Sequence, residues 1–352
     1  MSERNIKAGV VGFGLAGKVF HAPNISAVKG LELAAVVERS GSRSTAEYPA
    51  SRTVRSFEEL LAVPGIELVV VATPSDTHYR MAKQALTAGK HVVIDKPFAA
   101  TSAEARELDS IARSKGLVLS AFHNRRFDGD FRTVVKLLGE DTLGRLVEYE
   151  AHYDRYRPEP NLNGWKEQVL PGNGMLFDLG SHLMDQALTL FGTPRSITAE
   201  LLMQRPGVRV NDGFDVTLHY DALRVKLASS MYKLEPGPRF ALYGTLGSYV
   251  KYGVDPQEEA LKRGERPGAA GWGEEPAEQW GTLHTMTNGT ELRTTLRTEA
   301  GDYTAYYANV RDAIRGTAKL AVTAEEATRL IRALELAEES SRAGRTIAWS
   351  DR

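Results

Sequence analysis

Ionisable side chains interrupt an otherwise apolar stretch, FDLGSHLMDQ, at residues 177–186. Asp178 and His182 are four residues apart, so on a helix they project from one face a turn from each other, with Asp185 close to that face. An imidazole titrates near neutrality, which suits proton exchange. Helical spacing alone equally describes a buried histidine with its hydrogen bonds satisfied. A second candidate is Lys96 in IDKPFA. Pro97 fixes its own φ and biases the residue before it toward extended geometry, so this lysine is aimed. The plain alternative is a surface lysine before a loop proline.

A third group of residues is suited to holding a phosphate. VVGFGLAGKVF carries Gly12, Gly14 and Gly17 in GxGxxG spacing, with Leu15 and Ala16 between the last two. In a dinucleotide site the first glycine permits a tight turn, the second lets the backbone approach a pyrophosphate, and the third lets helix and strand pack closely. The amides at the helix start then face the phosphates. The motif alone is weak, but here a strand precedes it, a helix follows, and Glu38 ends the next strand about 20 residues on. A carboxylate there binds adenine-ribose hydroxyls and repels a 2′-phosphate, whereas Arg39, Ser40 and Arg43 suit binding that phosphate. The two readings conflict, and a solvated loop is a third. Thr73, Pro74 and His78 in VVVATPSDTHY leave a later strand at the sheet edge where ligands sit in such folds.

The elements that position these residues follow from periodicity. KAGVVG, LELAAVV, ELVVVAT, HVVID and LVLSAF are short apolar runs separated by helical patterns, which predicts a parallel sheet covered by helices over residues 1–122. Thr101 and Glu104 form a capping box at the start of one helix, and Gly116 suits its exit. From residue 123 to 352 the pattern becomes α+β. DVTLHYDALRVKLASSM reads as a hairpin turning at YDAL, within a large, mainly antiparallel sheet. Residues 256–302 read as a long surface excursion with a few embedded strands. Thr323 and Glu326 cap a last helix that stops at Gly344.

Composition narrows the function classes. The chain has 352 residues, more than a single core usually supports, so two domains are expected. A formal net charge of −1 gives no basic excess for nucleic acid or an anionic membrane. With no cysteine there is no disulfide, thiolate metal site or cysteine nucleophile, and the chain is compatible with a cytoplasmic setting. No metal is expected.

GxGxxG, ATPSDTHY, DKP and GMLFDLGSHLMDQAL, in this order and spacing, resemble the Gfo/Idh/MocA oxidoreductase family over essentially the whole chain. HNRRFDGDF, YDRYRPE and DLGSHLMDQAL are similar to its branch of bacterial NADP-dependent scyllo-inositol dehydrogenases. The resemblance implies a Rossmann domain followed by a sheet domain whose open face covers the nicotinamide, with Lys96, Asp178 and His182 meeting in the cleft. It further implies hydride exchange between NADP or NAD, with a lean to NADP, and a secondary alcohol of a cyclic polyol or sugar. His182 is then the base in oxidation, Lys96 holds the alkoxide charge and is the other candidate base, and Asp178 binds a neighbouring hydroxyl or fixes His182.

Asp95 replaces the glutamate usual in the family and is one methylene shorter, so its reach to the cofactor is altered. Asn124 and Arg125, followed by Arg126, fall where the family places groups near nicotinamide and substrate; a hinge ion pair is the other reading of the arginines. Tyr153, Arg155, Arg157 and Trp165 suit a sugar site or an oligomer contact. A homodimer or homotetramer is expected. A glycosidase that uses nicotinamide transiently, or a cofactor-binding regulator without catalysis, would share the fold.

Overall fold

The computed structural model describes residues 4–162, 164–287 and 289–350, and the chain groups into two compact units. The first unit comprises residues 1–127, 257–272 and 302–328. Its sheet is built from β1 (Ile6–Val11), β2 (Leu31–Val37), β3 (Arg52–Val54), β4 (Ile66–Val71), β5 (His91–Ile94) and β6 (Leu119–Ala121). All pairings are parallel and the strand order is β3-β2-β1-β4-β5-β6, the doubly wound Rossmann arrangement. Both faces are covered, so the central strands are continuous apolar runs; Val69, Val70 and Val71 are fully buried. The runs read from sequence match β1, β2, β4, β5 and β6. The three-residue edge strand β3 was not anticipated, because RTV is too short to show a period.

Local signals hold where they depend only on neighbours. The helix Ser102–Ser114 opens on the Thr101/Glu104 capping box, and Gly116 leaves it with φ +63°. The helix Ala324–Ala343 opens on Thr323 and Glu326 and ends before Gly344 at φ +60°. Residues 257–272 and 302–328, which a division at residue 122 assigns to the second domain, pack instead with the first unit. In residues 257–272 Leu261 packs with Val19 and Tyr303, and the helix Thr304–Ile314 sends Tyr306 and Tyr307 into the Rossmann core. Their hydroxyls are satisfied there, Tyr306 donating to Ser120 Oγ at 2.8 Å and Tyr307 lying 2.6 Å from His21 Nδ1.

The second unit comprises residues 128–256, 273–301 and 329–352. Its strands are β7 (Leu146–His152), β8 (Ser196–Leu202), β9 (Gly213–His219), β10 (Arg224–Ser229), β11 (Phe240–Gly244), β12 (Gly247–Lys251), β13 (Gly281–Thr287), β14 (Thr290–Leu296) and β15 (Ile347–Ala348). They form one open nine-stranded sheet, ordered β14-β13-β12-β11-β7-β10-β9-β8-β15, antiparallel except for β7 with β10. The YDAL turn joins β9 to β10, with Tyr220 N donating to Leu223 O at 3.1 Å. One face carries Tyr149, Val216, Leu218, Val225, Leu227 and Leu242 into a core with the helix Ser181–Phe191. The opposite face is polar and pairs charges across strands, including Arg224 with Glu148 and Lys226 with Glu148 and Glu150.

Candidate active site

The glycine turn follows β1 directly. Gly12 has φ +100°, and a side chain there would also come within 2.8 Å of the Ala72 carbonyl, so both conformation and space require glycine. A Cβ on Gly17 would lie 2.0 Å from the Gly12 carbonyl oxygen, which is why the following helix can cross the strand only with glycine at that point. Gly14 differs, since a Cβ there meets nothing within 4 Å. Its missing side chain therefore serves no internal packing and leaves the backbone open to a group approaching from outside, as the pyrophosphate of a dinucleotide does. Leu15 is 60% exposed beside it, and Ala16 opens a π-helical turn, Ala16–His21. The turn fits a dinucleotide.

At the end of β2 the Glu38 carboxylate meets three donors of its own loop. Oε1 accepts from Arg43 Nε at 2.9 Å, and Oε2 accepts from the Ser44 backbone N–H at 3.0 Å and the Ser44 hydroxyl at 3.1 Å. The carboxylate has turned into its own loop because three donors there offset its burial. Burial alone would raise its pKa; the Ser44 amide, Arg43 and the Ser44 hydroxyl outweigh it and hold it below the ordinary value. Arg39 and Ser40 are exposed on the same loop.

Where β4 and β5 end, a second cluster forms. Thr73 Oγ1 lies 2.6 Å from Thr77 Oγ1, and Thr77 donates to the Pro74 carbonyl at 2.7 Å, so the turn after β4 is closed on itself. His78 is buried, with Nε2 2.8 Å from the Thr73 carbonyl and Nδ1 2.8 Å from the Pro97 carbonyl. His78 thus bridges the turn after β4 and the turn after β5. Lys96 is half-buried beside Asp95, and the Lys96–Pro97 peptide bond is cis. Asp95 Oδ1 accepts from the Lys96 amide at 2.8 Å. Its Oδ2 is 3.9 Å from His21 Nε2, an electrostatic contact too long for a hydrogen bond. Burial raises the Asp95 pKa, and His21, Lys96 and His78 together bring it below the ordinary value. His21, in the middle of VFHAP, gave no sequence signal because its partners Asp95 and Tyr307 are remote in the chain.

Asn124 is buried in the short 3-10 turn Asn124–Phe127 that follows β6. Arg125 donates to Tyr303 Oη at 2.8 Å and to Glu258, and Arg126 pairs with Glu326 at 3.2 Å. Both arginines therefore make ion pairs, and that of Arg125 is the more buried.

In the second unit the stretch around Asp178 is a π-helical turn, Leu176–Gly180, running into the helix Ser181–Phe191. Four residues advance about 400° on an α-helix and about 330° on the wider π-turn, so Asp178 and His182 share a face in either geometry. Asn211 fixes the start of this segment, its Oδ1 accepting from the Leu176 amide at 2.8 Å and its carbonyl from the Met175 amide at 2.7 Å. His182 and Asp185 are buried; Asp178 is half-buried and accepts from Lys166 Nζ at 2.9 Å. Lys166 and Asn211 were not read from the sequence, since neither lies in a motif. Tyr153 is buried near two guanidinium groups, Arg155 at 5.9 Å and Arg239 at 5.1 Å from its ring centre. Arg157 is exposed, and the Trp165 side chain lies outside the described residues.

Residues 6–123 match the family model of the NAD-binding Rossmann fold of the GFO_IDH_MocA oxidoreductases, and residues 135–349 match that of their C-terminal alpha/beta domain. The chain belongs to the Gfo/Idh/MocA oxidoreductase family. It is similar to the uncharacterized oxidoreductase YdgJ of Escherichia coli, 44% identical over 96% of this chain and 97% of that protein. It is also similar to the scyllo-inositol 2-dehydrogenase (NADP(+)) IolW of Bacillus subtilis, 39% identical over 97% and 95%. The solved structure of the yvaA oxidoreductase from Bacillus subtilis superposes with a TM-score of 0.96 at 39% identity, covering 99% of each chain. The Rossmann unit of this Gfo/Idh/MocA protein is therefore a nicotinamide-dinucleotide domain. No helix among the described residues is long and apolar enough to cross a membrane.

Proposed function

We propose that this NAD(P)-dependent oxidoreductase acts on CH–OH groups, interconverting a secondary alcohol and a ketone on a cyclic polyol of the inositol kind. The observation that carries the reading is the helix face bearing Asp178 and His182, since a protein that only binds its cofactor has no use for a proton-transfer group. The similarity to a scyllo-inositol 2-dehydrogenase over 97% of the chain supports the substrate class.

A bound nicotinamide supplies the hydride acceptor in oxidation and the donor in reduction. The residues supply the rest. His182 takes the hydroxyl proton during oxidation and returns it during reduction. Asp178, itself held by Lys166, orients a neighbouring hydroxyl or the imidazole. Lys96 holds the negative charge that develops on the reacting oxygen, and Asp95 keeps a compensating carboxylate next to it. The test is replacement of Lys96 or His182 by alanine, which is expected to lower kcat by roughly a hundredfold or more while cofactor affinity changes little. Near-normal turnover in both variants would reject these assignments.

A further inference from the structure

A carboxylate at the end of the second Rossmann strand is ordinarily the group that selects against a 2′-phosphate. In this chain that carboxylate is consumed within its own loop. The Glu38 side chain is only 4% exposed, and both of its oxygens already accept hydrogen bonds, from Arg43 and from the amide and hydroxyl of Ser44.

The consequence falls on Arg43. Its Nε is fastened to Glu38, and a terminal nitrogen donates to the Phe13 carbonyl at 3.2 Å, yet 65% of the side chain remains exposed. Phe13 lies between Gly12 and Gly14, so the guanidinium is anchored both to the end of β2 and to the glycine turn. Those are two walls of a dinucleotide site. The loop beneath is also fixed, because Arg55 donates to the Glu38 carbonyl at 2.8 Å and to the Gly41 carbonyl. Gly41 has φ +81°, which lets the chain turn back toward Arg43. Within residues 38–43 the charges are Glu38, Arg39 and Arg43, and Arg55 adds a further cation, so the loop is net positive around a carboxylate whose lone pairs face inward.

We infer that Glu38 is a positioning residue for NADP, orienting the Arg43 fork toward the 2′-phosphate where a free carboxylate would repel it. This rests on the reading of the protein as a nicotinamide-dependent oxidoreductase. The inference reverses the sign of a familiar substitution. Were Glu38 a repelling group, its neutral variant would bind NADP better relative to NAD. As an anchor for Arg43, its neutral variant binds NADP worse.

The experiment is isothermal titration of NADP and of NAD into the wild type, E38Q, R43A, R43K and the E38Q/R43A pair, with thermal unfolding of each. The wild type is expected to prefer NADP. R43A should weaken NADP by roughly ten- to hundredfold, as for loss of a hydrogen bond to a charged group, with NAD little changed. E38Q should move the preference in the same direction and add little once Arg43 is gone. R43K keeps the charge but not the fork, and should lose most of the preference; this variant decides the matter should E38Q unfold. A wild type that prefers NAD, an E38Q variant with improved NADP preference, or an R43K variant indistinguishable from wild type would overturn the inference. Failure of both cofactors to bind the wild type would instead overturn the oxidoreductase reading on which it rests.

Discussion

Gly14 and Gly17 are three residues apart in one motif, and alanine should act on them in opposite ways. At Gly17 the added Cβ would sit 2.0 Å from the Gly12 carbonyl oxygen and 3.0 Å from its carbon, backbone atoms that cannot swing aside. Restoring ordinary contact, 3.4 Å or more, requires the helix and the turn at Gly12 to separate by about 1.4 Å, and such overpacking costs about 1–3 kcal/mol or more. For a unit of this size that corresponds to a fall in Tm of roughly 2–4 °C per kcal/mol. At Gly14 the added Cβ meets nothing within 4 Å and the backbone needs no positive φ, so Tm should stay within about 2 °C of the wild type. The methyl group there instead occupies the approach to the pyrophosphate, and the Kd for cofactor should rise by roughly tenfold or more. Differential scanning fluorimetry without cofactor, paired with cofactor titration, reads the two quantities separately. A Gly14→Ala protein that binds normally, or a Gly17→Ala protein as stable as wild type, would refute the reasoning about the turn.

Acid should weaken the first unit through Glu258. Burial raises its pKa, but Arg125 and Lys262 outweigh this and bring it from 4.5 to about 2. Since the folded value lies below the ordinary one, the contribution is fully present above about pH 4.5 and is lost as pH falls toward about 2; at about 1.4 kcal/mol per pH unit it amounts to about 3 kcal/mol. In Glu258→Gln, denaturant unfolding followed from pH 7 to 3 should show lower stability at pH 7 and a shallower acid decline; an unchanged pH profile would count against the pair. The polar face of the nine-stranded sheet should be covered in a homodimer or homotetramer, so light scattering should give at least twice the 38.6 kDa of one chain. A monomer mass at micromolar concentration would contradict it.

What could be read from the sequence was what neighbouring residues determine. The glycine turn, the capping boxes at Thr101 and Thr323 and the YDAL hairpin each involve groups a few positions apart, and each occurs where periodicity placed it. What escaped depends on distant partners. Tyr306 and Tyr307 draw residues 302–328 into the Rossmann core through Ser120 and His21, and helical spacing in TAYYANV says nothing about which sheet that helix meets. The sequence placed Glu38 at the right strand end but not its side-chain direction, which is decided by the Ser44 amide and Arg43. Similarly, Arg125 is visible in the sequence as a cation, while its partner Glu258 lies 133 positions on.

The central claim is that a polyol carbon exchanges hydride with the nicotinamide through Lys96 and His182. Its most direct test is the rate at which reduced cofactor absorbance appears when the purified protein is mixed with NADP and scyllo-inositol, run in parallel with myo-inositol, aldoses and NAD. The account predicts stoichiometric cofactor reduction with an inositol, fastest with NADP, and loss of the signal in His182→Ala. Tight NADP binding with no reduction by any polyol, or equal reduction by wild type and His182→Ala, would contradict it.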